Sequence, residues 1–258
     1  MKKKLVSAIA ILNIILIAGP FTGEARPPKH DKAKIAFTFP TKGHAILELS
    51  ELSTNMQKSL LRVADHYTLY MVVESSLSRG DLVLYEYLSD RLPLSSFLLR
   101  ELKLARYNIY EDDPGSYRWI DPEGVYSRFK LIYKEPGKRI YFGSGYYAGR
   151  LTPRIDGSAI IVFLYRQVTV GDKSYMQSEI YGYIQVDNIL FSTLAKVLRP
   201  ILPLVVRKRM GNLINVTRTL SEWIAEDPTE VYHLLARSKH ITPRELADFK
   251  QRFVVKKK

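Results

Sequence analysis

Between residues 107 and 186 the hydrophobic pattern repeats every second residue, in six runs separated by short turn-forming sequences. The runs are Tyr107–Glu111, Tyr117–Asp121, Val125–Glu135, Arg139–Tyr147, Ser158–Val170 and Ser174–Val186. Asp113-Pro114-Gly115, Pro122-Glu123-Gly124, Pro136-Gly137-Lys138, a loop over 149–157 and Gly171-Asp172-Lys173 separate them. Proline presets one turn dihedral and glycine accepts the positive one. Connections this short join antiparallel neighbours, so the runs imply a meander. Alternation then assigns sides. Val125, Phe129, Leu131 and Tyr133 share one face of their strand, opposite Tyr126, Arg128, Lys130 and Lys134. Met176, Ile180 and Ile184 oppose Gln177, Glu179 and Gln185. The stretch from Ala159 to Tyr165 is apolar on both sides, which predicts a strand covered on both faces.

Helical periodicity flanks the meander. Over 44–77, Ile46, Leu49, Leu52, Met56, Leu60 and Val63 recur at steps of three and four. Leu82–Leu88 fits either a strand or a helix, and Leu92–Leu104 reads as a short helix. From Asp187 a long apolar stripe runs through Leu190, Leu194, Val197, Ile201, Val206, Met210, Leu213 and Leu220. Pro200 and Pro203 kink or split it. Asp227-Pro228-Thr229-Glu230 and Thr242-Pro243-Arg244-Glu245 each place a capping residue, a proline and a glutamate where a helix begins. The expected fold is therefore α+β: a six- or seven-stranded antiparallel meander packed against a long C-terminal helix. N-terminal helices and two short C-terminal ones complete it.

The N-terminus carries Lys2, Lys3 and Lys4 and then an apolar run from Leu5 to Gly19. That run is shorter than the roughly 20 residues of a membrane span and suits a signal peptide. Gly23-Glu24-Ala25 offers small residues for cleavage after Ala25, although the same run also reads as an uncleaved anchor. The expected organisation is a signal peptide over 1–25, a polar leader over 26–43, an α+β domain over 44–226 and a helical extension over 227–258 ending in a basic tail. At most one short strand, Lys34–Phe39, is expected in the leader.

The chain has a net charge of +13, and residues 1–25 hold three lysines and Glu24, so the processed chain keeps +11. A charge of that size directs attention to acidic partners. For an exported protein these are a membrane surface or a cell-wall polyanion rather than nucleic acid. Arg128, Lys130, Arg139, Tyr141, Tyr147 and Arg150 interleave cations with rings as single-strand binders do, but export argues against that use. Arg207, Lys208 and Arg209 beside the apolar stripe, and Lys256, Lys257 and Lys258 at the end, are the expected membrane contacts. The chain has no cysteine.

No local pattern announces a reaction. Gly143-Ser144-Gly145 lacks the strand-then-helix context of a phosphate loop and reads as relief in a strongly bent strand. Ser127 and Lys130 have the spacing of a serine–lysine pair, but on a strand they point to opposite faces. His30, His44, His66, His233 and His240 are scattered without metal-ligand spacing. No cofactor or metal is expected, and a non-enzymatic role is favoured.

Helices, a six-stranded meander and one long apolar-striped helix together resemble the helix-grip arrangement of the START and Bet v 1-like superfamily. That resemblance covers residues 44–224 and rests on element order. It implies a curved sheet around the C-terminal helix, enclosing a cavity for lipids or other hydrophobic molecules. Phe129, Leu131, Tyr133, Met176, Ile180, Ile184, Leu194, Val197 and Ile201 are the candidate ligand-lining residues. The competing expectation is an envelope scaffold whose sheet and helix close into a dry core.

Overall fold

The computed structural model describes residues 35–36, 52–74, 77–122, 124–148, 154–187, 215–239 and 241–255. Among these residues nine strands form one antiparallel sheet: β1 (Ile35–Ala36), β2 (Leu69–Glu74), β3 (Ser78–Arg79), β4 (Asn108–Asp113), β5 (Ser116–Ile120), β6 (Val125–Glu135), β7 (Lys138–Tyr147), β8 (Ile155–Val170) and β9 (Lys173–Val186). The order across the sheet is β1-β2-β9-β8-β7-β6-β5-β4, with β3 paired to β9 beyond the end of β2. The meander β4–β9 follows the alternating pattern of the sequence strand for strand. Its turns use the expected glycines: Gly137 sits at φ +80°, and a Cβ there would lie 2.7 Å from the Tyr165 carbonyl oxygen.

Of the helical pattern expected over 44–77, Ile46 and Leu49 lie outside the described residues, and residues 52–74 form two elements. α1 (Thr54–Asp65) begins at Ser53, whose side chain accepts from the Met56 amide, and ends at His66. Residues 69–74 then form β2 rather than more helix, because Leu69, Met71 and Val73 alternate with less buried neighbours on a β-branched, aromatic run. The ambiguous Leu82–Leu88 is helical: α2 (Leu82–Ser89) is capped by Asp81, whose carboxylate accepts from the Leu84 amide at 2.8 Å. α3 (Leu92–Glu101) follows with a proline in its first turn.

The C-terminal part is helical: α4 over 215–226, α5 (Pro228–Ala236) and α6 (Pro243–Phe249), which runs into a π turn, Lys250–Val254. Thr242 and Glu245 make a reciprocal capping box. Asp227 caps α5 on its own. Glu230, the expected reciprocal partner, instead accepts from the indole N–H of Trp223 at 3.1 Å and ties α5 to α4.

Among the described residues, three apolar clusters hold these elements together. On one face of the sheet, Leu60, Val63 and Ala64 of α1 pack on Ile140, Ile160, Val162 and Tyr183. On the opposite face, Tyr85 of α2 packs on Tyr165 and Met176. A separate helical core joins Leu84, Tyr87, Leu94, Leu98, Leu220, Ile224, Val231, Leu235 and Phe249. α4, the described end of the apolar stripe that starts at Leu190, thus packs through Leu220 and Ile224 among α2, α3, α5 and α6. Its upstream stripe, Leu190 to Met210, lies outside the described residues.

Candidate ligand-binding face

Cross-strand register determines which side chains share a face. Opposite α1, one row runs Phe129, Gly143, Ala159, Ile184, Leu69 across β6, β7, β8, β9 and β2. The next rows are Leu131, Tyr141, Ile161, Gly182, Met71 on one side and Ser127, Gly145, Gly157, Val186 on the other. Four adjoining positions, Gly143, Gly145, Gly157 and Ala159, therefore carry almost no side chain. Phe129, Tyr141, Ile161 and Ile184 surround them, each only partly buried. The result is a small-residue floor inside an apolar wall, the composition of a hydrophobic ligand site.

The glycines are there for a backbone reason. A Cβ at Gly143 would come 2.4 Å from the Arg128 carbonyl oxygen and 2.5 Å from the Phe129 Cβ. At Gly145 it would meet the Tyr126 oxygen at 2.4 Å, and at Gly157 the Gln185 oxygen at 2.6 Å. Neighbouring strands cross too closely for side chains, as the bent-strand reading of Gly143-Ser144-Gly145 expects. Gly182 differs, because a Cβ there would strike Met71 Cε at 2.3 Å and the buried Met71 side chain fills that space.

Of the predicted lining residues, Phe129, Leu131, Met176, Ile180 and Ile184 do share this face. Tyr133 does not. The β6–β7 register shifts between Leu131 and Tyr133, which places Tyr133 opposite Ile140 on the α1 side. One extra residue in a strand reverses every later side chain. Met176 also sits apart from Phe129, at the closed end beside Tyr85 and Tyr165. Leu194, Val197, Ile201, Arg207, Lys208, Arg209, Lys256, Lys257 and Lys258 lie outside the described residues. Nothing in the local sequence marks Gly157 and Ala159 as part of a site, because only the register sets them beside Gly143 and Gly145. The interleaved cations also divide: Arg128 and Lys130 stand on the α1 side, whereas Arg139, Tyr141 and Tyr147 stand on the opposite one. Arg150 lies outside the described residues.

The other end of the face is polar and closed. Arg139 is 0% exposed. Its Nη2 donates to Glu86 and, at 3.0 Å, to Asp90 Oδ1; its Nη1 donates to the carbonyls of Lys138 and Glu135. Glu86 Oε1 also accepts from the Gly137 amide at 3.0 Å and the Tyr165 hydroxyl at 2.8 Å. Lys134 reaches Asp90 Oδ2 at 2.6 Å. Burial works to lower the Arg139 pKa, but Tyr165 and the two carboxylates outweigh it and hold the guanidinium above its ordinary value. Burial and the bond to Glu86 push the Tyr165 phenol up. Burial does the same to Tyr141. Both carboxylates are engaged by a permanent cation, so this cluster joins α2 to the β6–β7 hairpin and offers no free base.

A concavity of about 470 Å³ lies between the N-termini of α2 and α5, lined by Gly80, Asp81, Ile224, Asp227, Pro228 and Arg252. Asp81 and Asp227 already cap those termini, so their negative charges oppose an incoming anion. Among the described residues no three acidic or histidine side chains gather as a metal site, and no helix is long and apolar enough to cross a membrane.

No family model matches the chain, and no curated protein does. Among solved structures it is similar to an uncharacterised protein from Rhizobium leguminosarum, at 14% identity over 57% of this chain and 93% of that one. The TM-score of that match is 0.34.

Proposed function

We propose that the protein is an exported, non-enzymatic binder of a lipid or other hydrophobic small molecule, held against the sheet face opposite α1. The floor of Gly143, Gly145, Gly157 and Ala159 carries this reading. It sets four positions with almost no side chain beside Phe129, Tyr141, Ile161 and Ile184, all partly accessible. Apolar walls supply affinity in proportion to the area they bury, about 25 cal/mol per Å². The likeness in element order to helix-grip proteins supports the same place. Export rests on Lys2–Lys4 and the apolar run from Leu5 to Gly19. The basic groups at Arg207–Arg209 and Lys256–Lys258 suit delivery at an anionic membrane.

The test uses the protein purified from a cell-envelope fraction. Its N-terminus is expected at Arg26, and organic extraction is expected to release an apolar molecule. A fluorescent fatty-acid probe is expected to bind saturably to the delipidated protein. Ala159→Phe, which fills the floor, is expected to weaken the probe about tenfold, the equivalent of 1.4 kcal/mol. No extractable molecule together with no saturable probe binding would leave the envelope-scaffold reading in its place.

A further inference from the structure

Among the described residues, α1 covers its face of the sheet over β2, β7–β9 and the Tyr133 end of β6. Towards β4, β5 and the rest of β6 that face is open, and three rows of side chains stand on it. One row is Tyr110, Arg118, Arg128, Ser144, and the next is Ser116, Lys130, Phe142. The third is Ile120, Tyr126, Tyr146, with Arg154 laid over the Tyr146 ring at 3.9 Å. Arg128, Lys130 and Ser144 are exposed, as is Tyr110 at 45%.

One feature of this surface is costly for a merely solvated face, and a second leaves charge available to a partner. Arg118 and Arg128 stand directly opposite each other on paired strands, a like-charge placement that destabilises a sheet. Asp112 neutralises Arg118 at 2.9 Å, but among the described residues neither Arg128 nor Lys130 has an acidic partner. Neighbouring strands lie about 4.8 Å apart and alternate residues about 6.8 Å along a strand, so the three cations form a compact triangle. Hydroxyls from Ser116, Ser144, Tyr126 and Tyr146 stand on the same face.

We propose that this open half of the α1 face is a docking surface for an acidic polysaccharide. The chemistry favours that polymer over the other polyanions. A bilayer contact needs apolar side chains to insert, and Tyr110 is the one strongly exposed large hydrophobic among the described residues of this patch. Single-stranded nucleic acid is held by stacking on open ring faces. Here Tyr126 and Tyr146 stack on each other at 5.3 Å and 19°, and the Arg154 guanidinium lies over the Tyr146 ring at 3.9 Å. Fixed cations interleaved with hydroxyls instead match a chain that carries carboxylates among sugar hydroxyls. The surface lies on the sheet face opposite the apolar floor, so both can be occupied at once.

The experiment titrates the protein with polygalacturonate, neutral dextran, oligothymidylate and phosphatidylglycerol vesicles at matched charge and low salt. Polygalacturonate is expected to bind and dextran not to bind. Arg128→Glu with Lys130→Glu is expected to weaken polygalacturonate at least about tenfold, as loss of two exposed charge contacts allows. The control pair Lys239→Glu with Arg244→Glu makes the same change in net charge on exposed C-terminal positions and is expected to leave binding within about twofold. If thermal melting shows the reversed variant unfolded, Arg128→Gln with Lys130→Gln replaces it, with about a threefold loss expected. Equal losses in both charge pairs would overturn the proposal, as would tighter binding to oligothymidylate or vesicles than to polygalacturonate. The fatty-acid probe is measured on the same variants and is expected to bind them unchanged, which separates failure here from failure of the ligand-binding reading.

Discussion

Ile160 and Ile161 are consecutive residues of β8, identical in chemistry and opposite in fate. Ile160 is 0% exposed beneath Leu60, Val63 and Ala64 of α1. Ile161, on the other face, borders a floor of glycines and stays partly accessible. An apolar run on both sides of a strand predicts two covered faces, yet the two coverings differ in kind. On one face helical side chains interdigitate with the strand. On the other, close backbone crossings leave Gly143, Gly145 and Gly157 without side chains, and the residues around them stay partly accessible. The difference teaches that hydrophobicity selects where a surface can be buried, while local volume determines how completely it is.

The largest expected effect lies at the closed end of the glycine-bearing face. Arg139→Met is expected to lower stability by about 4 kcal/mol, because Glu86 and Asp90 lose their shared cation. Adding Glu86→Gln, which keeps acceptors for Tyr165 and Gly137, is expected to recover more than half of that loss. Chemical denaturation of both variants measures it, and a mild loss in the single variant would show that this end is as open as the other.

The isoleucine pair tests the comparison directly. Ile160→Ala is expected to cost about 3 kcal/mol through transfer and cavity terms, and Ile161→Ala about 1 kcal/mol. Equal values in denaturant titration would mean that both faces are packed alike.

Alkaline titration probes dryness on both sides at once. Burial raises Tyr183, on the α1 face, and Tyr117, on the opposite face, to about 12. A phenol whose folded pKa is raised contributes stability that is fully present below its unfolded value of 10.0 and is lost as pH rises towards about 12. Phenolate absorbance from these residues is therefore expected to appear together with unfolding rather than before it. Early ionisation followed by Tyr183→Phe and Tyr117→Phe variants would identify the wetter face.

The smallest effect is at the floor. Ala159→Leu is expected to change stability by less than about 0.5 kcal/mol, since Ala159 is itself partly accessible. The same substitution at Val162, 0% exposed under α1, is expected to cost about 2 kcal/mol by overpacking. A large loss at Ala159 would show a filled face.

Much of the fold was legible because its signals are local. Six alternating runs and their Pro/Gly turns specify β4–β9, and Asp227 and Thr242 mark their helices through hydrogen bonds within four residues. β2 was hidden because a helical stripe ending at Val63 masked the alternation of Leu69, Met71 and Val73. The candidate site was legible only in part. Phe129, Leu131, Ile180 and Ile184 reach the expected face by simple alternation, whereas Tyr133 is turned away by a bulge that no residue type announces.

What the sequence alone determined is each strand's periodicity and each turn's dihedral, both properties of a few consecutive residues. Only the tertiary structure decided that Gly157 and Ala159 lie beside Gly143 and Gly145, that Arg139 is buried between Glu86 and Asp90, and that Arg128 faces Arg118. Those relations depend on register and on which helix covers which face. Register depends in turn on pairings between residues far apart in the chain, where a one-residue shift exchanges the two faces without altering any local preference.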